Sequence, residues 1–253
     1  MSILIPAYRP SAGLLTLVRA LLSRSPGATV VVVDDGSGPA YADTFAQVRA
    51  AGARVIEFQG NRGKGAALRA GFAYLELRHP SEAVVCADAD GQHTVEDIAR
   101  VLAAVGDQPR QMLLGVRSFD GAVPLRSRVG NSLTRLIFAA ATRRWLSDTQ
   151  TGLRAYSPDL LGWLQGVDGD RYEYELRVLL AAAGERMPYR CVPIETVYLD
   201  DNASSHFRPV ADSLRIYLPL VGFAFSSIGT AQALRSDQTS SADMVGIARP
   251  NNA

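Results

Sequence analysis

Residues 83–93 read AVVCADADGQH. The run Ala83–Ala87 lacks the polar alternation of a half-exposed strand, which predicts a strand buried on both faces in a helix-covered parallel sheet. It ends in Asp88-Ala89-Asp90, and in an extended chain residues two apart point the same way. Two carboxylates therefore converge beyond the strand's carboxyl end, where Gly91 lets the chain turn sharply. Oxygen ligands at that spacing suit a hard divalent cation, Mg²⁺ or Mn²⁺, bridging phosphates. Asp and Gly are also ordinary turn formers, so the spacing alone fits a cation site and a solvated turn equally.

Strands and helices alternate on both sides of this segment. Ile3–Ile5 is an expected strand, followed by a helix capped by Ser11 that carries Leu14, Leu15, Leu17, Val18, Leu21 and Leu22. Thr29–Val33 is a β-branched strand ending in Asp34-Asp35-Gly36-Ser37-Gly38, with a helix near Ala40–Ala51 after it. A strand at Arg54–Phe58, the loop Gly60–Gly65 (GNRGKG) and a helix over Ala66–Arg78 lead into the quoted segment. Thr94 caps a helix running through Val105, and Met112–Val116 is a further strand. The reading is an α/β fold whose mostly parallel central sheet carries helices on both faces. In such sheets ligands bind beyond the carboxyl ends of the strands. Here those ends are Pro6-Ala7-Tyr8, Asp34-Asp35, Gly60–Gly65, Asp88–Asp90 and Gly115–Arg117, which is where the chemically unusual residues lie.

The second half is less regular. A long basic and apolar helix is expected at Arg126–Trp145, a helix at Tyr172–Ala183 and a strand at Tyr189–Val197. Residues 216–234 carry no charge, but Pro219, Gly222 and several polar residues favour a surface-lying or protein-packed helix over a membrane span. Ser-, Asp- and Asn-rich residues 235–253 read as disordered. The expected organisation is a catalytic domain over 1–215, the apolar helix 216–234 and the tail 235–253.

A net charge of +1 over 253 residues gives no global attraction to nucleic acid or acidic membrane, so any basic site is local. Cys86 and Cys191, far apart in apolar runs, read as buried thiols of a reducing compartment. The N-terminus MSILIPAYRP enters a strand at once, leaving no room for a signal peptide, and the expected location is cytoplasmic. Lys64 is the sole lysine, and it stands in GNRGKG. That loop has neither Walker A nor GxGxxG spacing, so it supports neither an ATPase nor a Rossmann dehydrogenase. Its glycine amides and Lys64, opening a helix, could still hold an anion; a flexible helix-leading loop fits as well. Asp34-Asp35-Gly36-Ser37 offers carboxylates to a base or ribose and must also form a turn.

In order along the chain, ILIPAY, VVVVDDGSG, NRGKGAALRAGF, ADADGQH, LLGVR, SDTQTGLRAY and NASSHFRPVADSLRIY resemble glycosyltransferase family 2, and within it the polyprenyl-phosphate sugar synthases. Any one segment is common; seven in sequence are specific. The resemblance implies the GT-A fold, a nucleotide-diphosphate sugar donor, a divalent metal and inverting transfer to a lipid phosphate. It places Pro6, Ala7, Tyr8, Asp35, Lys64 and Asp88 at the donor. Asp90, with Gln92, would hold the metal. Arg117, Arg126, Arg128, Ser204, Ser205 and Arg208 would meet the acceptor phosphate, which suits arginine because its planar fork grips phosphate oxygens in pairs. Asp148 stands where inverting relatives keep a catalytic base, grouped with Arg117 and Arg208 as catalytic. A phosphate acceptor is already ionised near neutral pH, so Asp148 would orient groups more than abstract a proton.

Two departures qualify the resemblance. Arg9-Pro10 follow Pro-Ala-Tyr where many relatives have Asn and an acid, and longer relatives continue into several membrane helices. The implied enzyme works at the cytoplasmic membrane face, by surface docking or with a partner membrane protein. The alternatives are the same transferase acting on a soluble hydroxyl acceptor with Asp148 as base, and a non-catalytic membrane adaptor.

Overall fold

The structure, a computed structural model, describes residues 1–106, 109–117 and 125–195, and of residues 125–133 the backbone only. Seven strands, β1 (Ser2–Ala7), β2 (Thr29–Asp34), β3 (Arg54–Glu57), β4 (Val84–Cys86), β5 (Met112–Arg117), β6 (Arg154–Tyr156) and β7 (Tyr189–Ile194), form one sheet in the order β3-β2-β1-β4-β6-β5-β7. Every pairing is parallel except those of β6, which runs antiparallel between β4 and β5. The helices are α1 (Gly13–Arg24), α2 (Ala42–Ala50), α3 (Lys64–Arg78), α4 (Val95–Ala103), α5 (Leu125–Thr142), α6 (Leu161–Gly166) and α7 (Glu173–Gly184).

The strands lie between two cores, which explains their lack of polar alternation. Ile3 and Ile5 of β1 with Val30 and Val32 of β2 face a cluster built with α1, α2 and α4. Leu4, Val31 and Val33 face the opposite cluster, which draws on α3, α6 and α7. Gly71 lets α3 lie close on the sheet, because a Cβ there would collide with Leu4. Thr94 caps α4 as expected, its hydroxyl accepting from the Asp97 amide at 3.0 Å.

Several expectations are corrected. Ser11 does not cap α1, which begins at Gly13 after Ala12; its hydroxyl accepts from the Gly13 amide instead. The long basic helix ends at Thr142, where Arg143 takes a left-handed φ of 56°, so Trp145 lies in the following turn. Cys86 is buried, but Cys191 is exposed, because β7 is an edge strand. The three-residue β6 and six-residue α6 are too short to carry a periodic signal. Among the described residues no helix is long and apolar enough to cross a membrane. The apolar segment 216–234 and the tail 235–253 lie outside the described residues.

Candidate active site

The end of β1 and the acid-rich ends of β2 and β4 lie on one edge of the sheet, because these strands are parallel neighbours. Arg117 at the end of β5 joins them. The reversed β6 brings its preceding segment, Asp148 to Leu153, to the same edge.

At the end of β2 the two aspartates are engaged within the chain. Asp34 Oδ1 accepts from the Ser37 amide at 2.8 Å, and the Ser37 hydroxyl accepts from the Arg9 amide at 2.8 Å. Asp35 accepts from the Arg62 amide (2.7 Å), from the Gly63 amide (2.8 and 3.0 Å to its two oxygens) and from Asn61 Nδ2 (2.9 Å). Its carboxyl is raised above the ordinary range because burial outweighs those bonds. Gly36, at φ 70°, packs where a Cβ would overlap Gly60. The DDGSG turn thus holds GNRGKG in place.

That loop does not present itself as an anion cradle. Its Arg62 and Gly63 amides point at Asp35, and the Ala66 amide donates to the Asp170 carbonyl at 3.0 Å. Cβ atoms on Gly63 and Gly65 would strike the backbone of Gly169 and Asp170, so both glycines serve close packing. Lys64 is correspondingly redirected. Its Nζ lies 2.7 Å from Asp88 Oδ1 and 2.8 Å from Glu175 Oε2, with all three side chains less than a third exposed. Burial works against the Lys64 charge, but the two carboxylates outweigh it and hold the ammonium above its ordinary range. Sequence reasoning missed Glu175, whose only signal was an acid in the first turn of an expected helix.

Asp88 also approaches His93, with Nε2 at 3.6 Å from Oδ2. Burial alone would raise this carboxyl; the Lys64 charge and His93 hold it well below the usual carboxylate range. Gly152 walls the group in, since a Cβ there would overlap the carboxylate. Asp90 is different. Among the described residues its recorded hydrogen bond is from the Gln92 amide to Oδ1 at 3.0 Å, and Gly91 takes φ 80° as the turn requires. Burial, and then the Asp88 charge, raise the Asp90 carboxyl above its ordinary range, so a cation beside it would be favoured.

Pro6 and Ala7 are buried inside β1, and of the expected donor residues there only Tyr8 is partly open. The Arg9 guanidinium lies 5.1 Å from the Tyr8 ring centre. On the other side, Arg117 grips Asp148 with two hydrogen bonds, Nε to Oδ2 at 2.7 Å and Nη2 to Oδ1 at 3.2 Å. Asp148 is wholly buried and its Oδ1 also accepts from the Gln150 amide at 3.1 Å. The fully buried Arg154, also missed in the sequence, bonds the carbonyls of Thr151 (2.8 Å) and Glu175 (2.6 Å), tying β6 to α7. Arg126 and Arg128 lie on α5, whose first turns are described as backbone only; Ser204, Ser205 and Arg208 lie outside the described residues.

This mostly parallel sheet, with one reversed strand and acids along its carboxyl edge, is a GT-A architecture. Glucosyl-3-phosphoglycerate synthase from Mycobacterium tuberculosis, solved with Mn²⁺, UDP and glucosyl-3-phosphoglycerate, superposes with a TM-score of 0.66 at 19% identity, covering 88% of this chain and 79% of that one. The chain belongs to glycosyl transferase family 2, whose model matches residues 2–159. It is 32% identical to the UDP-N-acetylglucosamine–dolichyl-phosphate N-acetylglucosaminyltransferase of Methanococcus voltae, over 57% of this chain and 59% of that protein. It is 29% identical to the polyprenol monophosphomannose synthase of Mycolicibacterium smegmatis, over 76% of this chain and 75% of that one.

Proposed function

We propose that this glycosyltransferase moves a sugar, with inversion, from a nucleotide-diphosphate sugar to a polyprenyl phosphate, using Mg²⁺ or Mn²⁺, at the surface of a membrane. The observation that carries the reading is the Asp88–Asp90 strand end. One carboxylate is locked by Lys64, while its neighbour, raised above its ordinary range, is left with one amide donor among the described residues. Among the described residues no cluster of three or more His, Cys, Asp or Glu is placed to hold a metal. Mg²⁺ needs only one or two protein carboxylates, with substrate phosphates and water as its other ligands, so Asp90 could serve as the anchoring acid. Asp90 would hold the ion, with Gln92 as a further ligand. A bound ion there would supply Lewis-acid stabilisation of the departing diphosphate.

The chain's own groups do the rest. Asp88, fixed by Lys64 and Gly152, orients the donor, and Tyr8 borders it. Asp35 supports the site indirectly, by holding the Gly60–Gly65 loop against the end of β2. Arg117 faces the acceptor phosphate with its orientation set by Asp148, joined by Arg126, Arg128, Ser204, Ser205 and Arg208. The Asp148 geometry favours a phosphate acceptor over a hydroxyl: both its oxygens are engaged by Arg117, so it serves as an orienting group more readily than as a proton acceptor. The relatives named above divide between N-acetylglucosamine and mannose, so their names do not fix the sugar.

The test is incubation of purified full chain with Mg²⁺ or Mn²⁺, undecaprenyl phosphate and a panel of nucleotide-diphosphate sugars, followed by butanol–water partition and mass spectrometry. A metal-dependent glycosylated lipid phosphate in the organic phase is expected. Donor binding with a product only in the aqueous phase would overturn the acceptor assignment.

A further inference from the structure

The turn after α5 carries side chains that the transfer site does not use. Trp145 is 59% exposed and Leu136, on α5, is 60% exposed. The Arg135 guanidinium lies 4.9 Å from the Trp145 ring centre, which brings the indole back beside the helix that bears Leu136. The turn is held from behind. The Tyr189 hydroxyl donates to the Trp145 carbonyl at 3.1 Å, and Arg144 donates to the Met187 carbonyl at 2.6 Å while stacking 4.9 Å from the Tyr189 ring centre. Arg143 is exposed at the end of the helix. Between Gly121 and Ser147 the sequence has five arginines and no acid, in a chain whose net charge is only +1. The positive charge is therefore a local property of this segment.

An exposed indole and an aliphatic side chain, with Arg135 against the indole and Arg143 exposed beside it, match the headgroup layer of an anionic bilayer. There amphipathic rings settle at the interface and basic side chains meet lipid phosphates. Only Leu146 and Ser147 separate Trp145 from Asp148, a span of at most about 11 Å. A bilayer touching Trp145 would thus lie close to Asp148, the carboxylate that holds Arg117. We infer that Trp145, Leu136 and Arg143, with Arg135 behind the indole, form a docking patch for the anionic surface of a bilayer. The inference rests on the lipid-phosphate reading and deepens it, by naming where the enzyme meets the membrane that holds its acceptor.

The test uses the full chain with Trp163→Phe, which leaves Trp145 as the single tryptophan. It is mixed with vesicles of phosphatidylcholine alone or with one-third phosphatidylglycerol, with and without brominated chains. Trp145 emission should shift to the blue and be quenched by shallow bromines only with phosphatidylglycerol present, an effect that high salt weakens. Trp145→Ala and Arg143→Glu should each reduce the vesicle-bound fraction about tenfold. Both should leave turnover of a water-soluble short-chain prenyl phosphate unchanged. Unshifted emission, equal binding to neutral vesicles, or an unchanged bound fraction in the variants would overturn the patch. So would an equal loss of turnover on the soluble acceptor, which would place these residues in the chemistry. Vesicle binding by a chain that glycosylates no lipid phosphate would remove the proposed function and leave the docking surface standing.

Discussion

The strand ends Asp34-Asp35-Gly36 and Asp88-Ala89-Asp90-Gly91 are nearly interchangeable on paper: an apolar strand, two acids and a glycine with positive φ. In the fold they do different work. The first pair is turned inward, Asp34 closing its own turn and Asp35 collecting the amides of the glycine loop. The second pair is split, with Asp88 locked against Lys64 and Asp90 left with one recorded amide donor. The difference follows from the neighbours. Beside β2 stands a loop whose amides need acceptors; beside β4 stand a lysine and the glycine wall of Gly152. Identical residue types become structural or functional according to which donors the adjacent loop supplies.

The comparison can be broken most forcefully at Lys64. Lys64→Met leaves the Asp88 and Glu175 carboxylates facing each other without their shared cation, and should cost about 3–5 kcal/mol in denaturant unfolding. Adding Glu175→Gln should recover part of that loss. The Lys64 pKa is raised in the fold, so its contribution is complete below its ordinary value of 10.5 and is lost as pH rises through the higher folded value. The stability gap between wild type and Lys64→Met should therefore hold at neutral pH and narrow only above that value. A gap that is already absent at pH 7 would show that the triad is not formed.

Asp35→Asn should cost about 1.5–3 kcal/mol, since an NH2 group replaces one of two acceptor oxygens and leaves a loop donor unpaired. Gly152→Ala should cost about 1–3 kcal/mol, because its Cβ must displace Asp88, and donor affinity measured by calorimetry should fall with it. Asp90→Asn is the counterpart. Among the described residues its carboxylate accepts one amide, where that of Asp35 collects three donors, so stability should move by less than about 0.5 kcal/mol. Metal-dependent turnover should nevertheless fall on the order of 10²-fold. If Asp90→Asn unfolds the protein and Asp35→Asn does not, the roles of the two turns have been assigned the wrong way round.

Much of the first half was legible in the sequence because burial on both faces writes continuous apolar runs, and because Thr94 and Gly91 serve the cap and the turn that their chemistry predicts. The clustering of acids at one sheet edge was legible for the same reason. What escaped was whatever depends on distant partners. β6 is three residues long and takes its meaning from β4 and β5 on either side. Lys64 reads as an anion ligand until Glu175, more than a hundred residues later, arrives beside it. Gly63 and Gly65 read as phosphate-loop glycines until Gly169 and Asp170 are seen pressed against them. Local pattern reveals which groups are unusual, and tertiary contact decides which of them remain available.

The reversed strand β6 has a consequence for the order of assembly. The neighbours β1 and β2 can pair once the first helix between them has formed, but β4 must wait for residues 154–156 before its outer edge is covered. Pairings so distant along the chain close slowly, since the intervening loop entropy is lost before contact rewards it. Asp148 and Gly152 arrive with that strand, and Glu175 follows on α7. In refolding, the β1–β2–β3 side should therefore gain hydrogen-exchange protection before the amides around Asp88, so that the scaffold forms early and the acid edge is completed late.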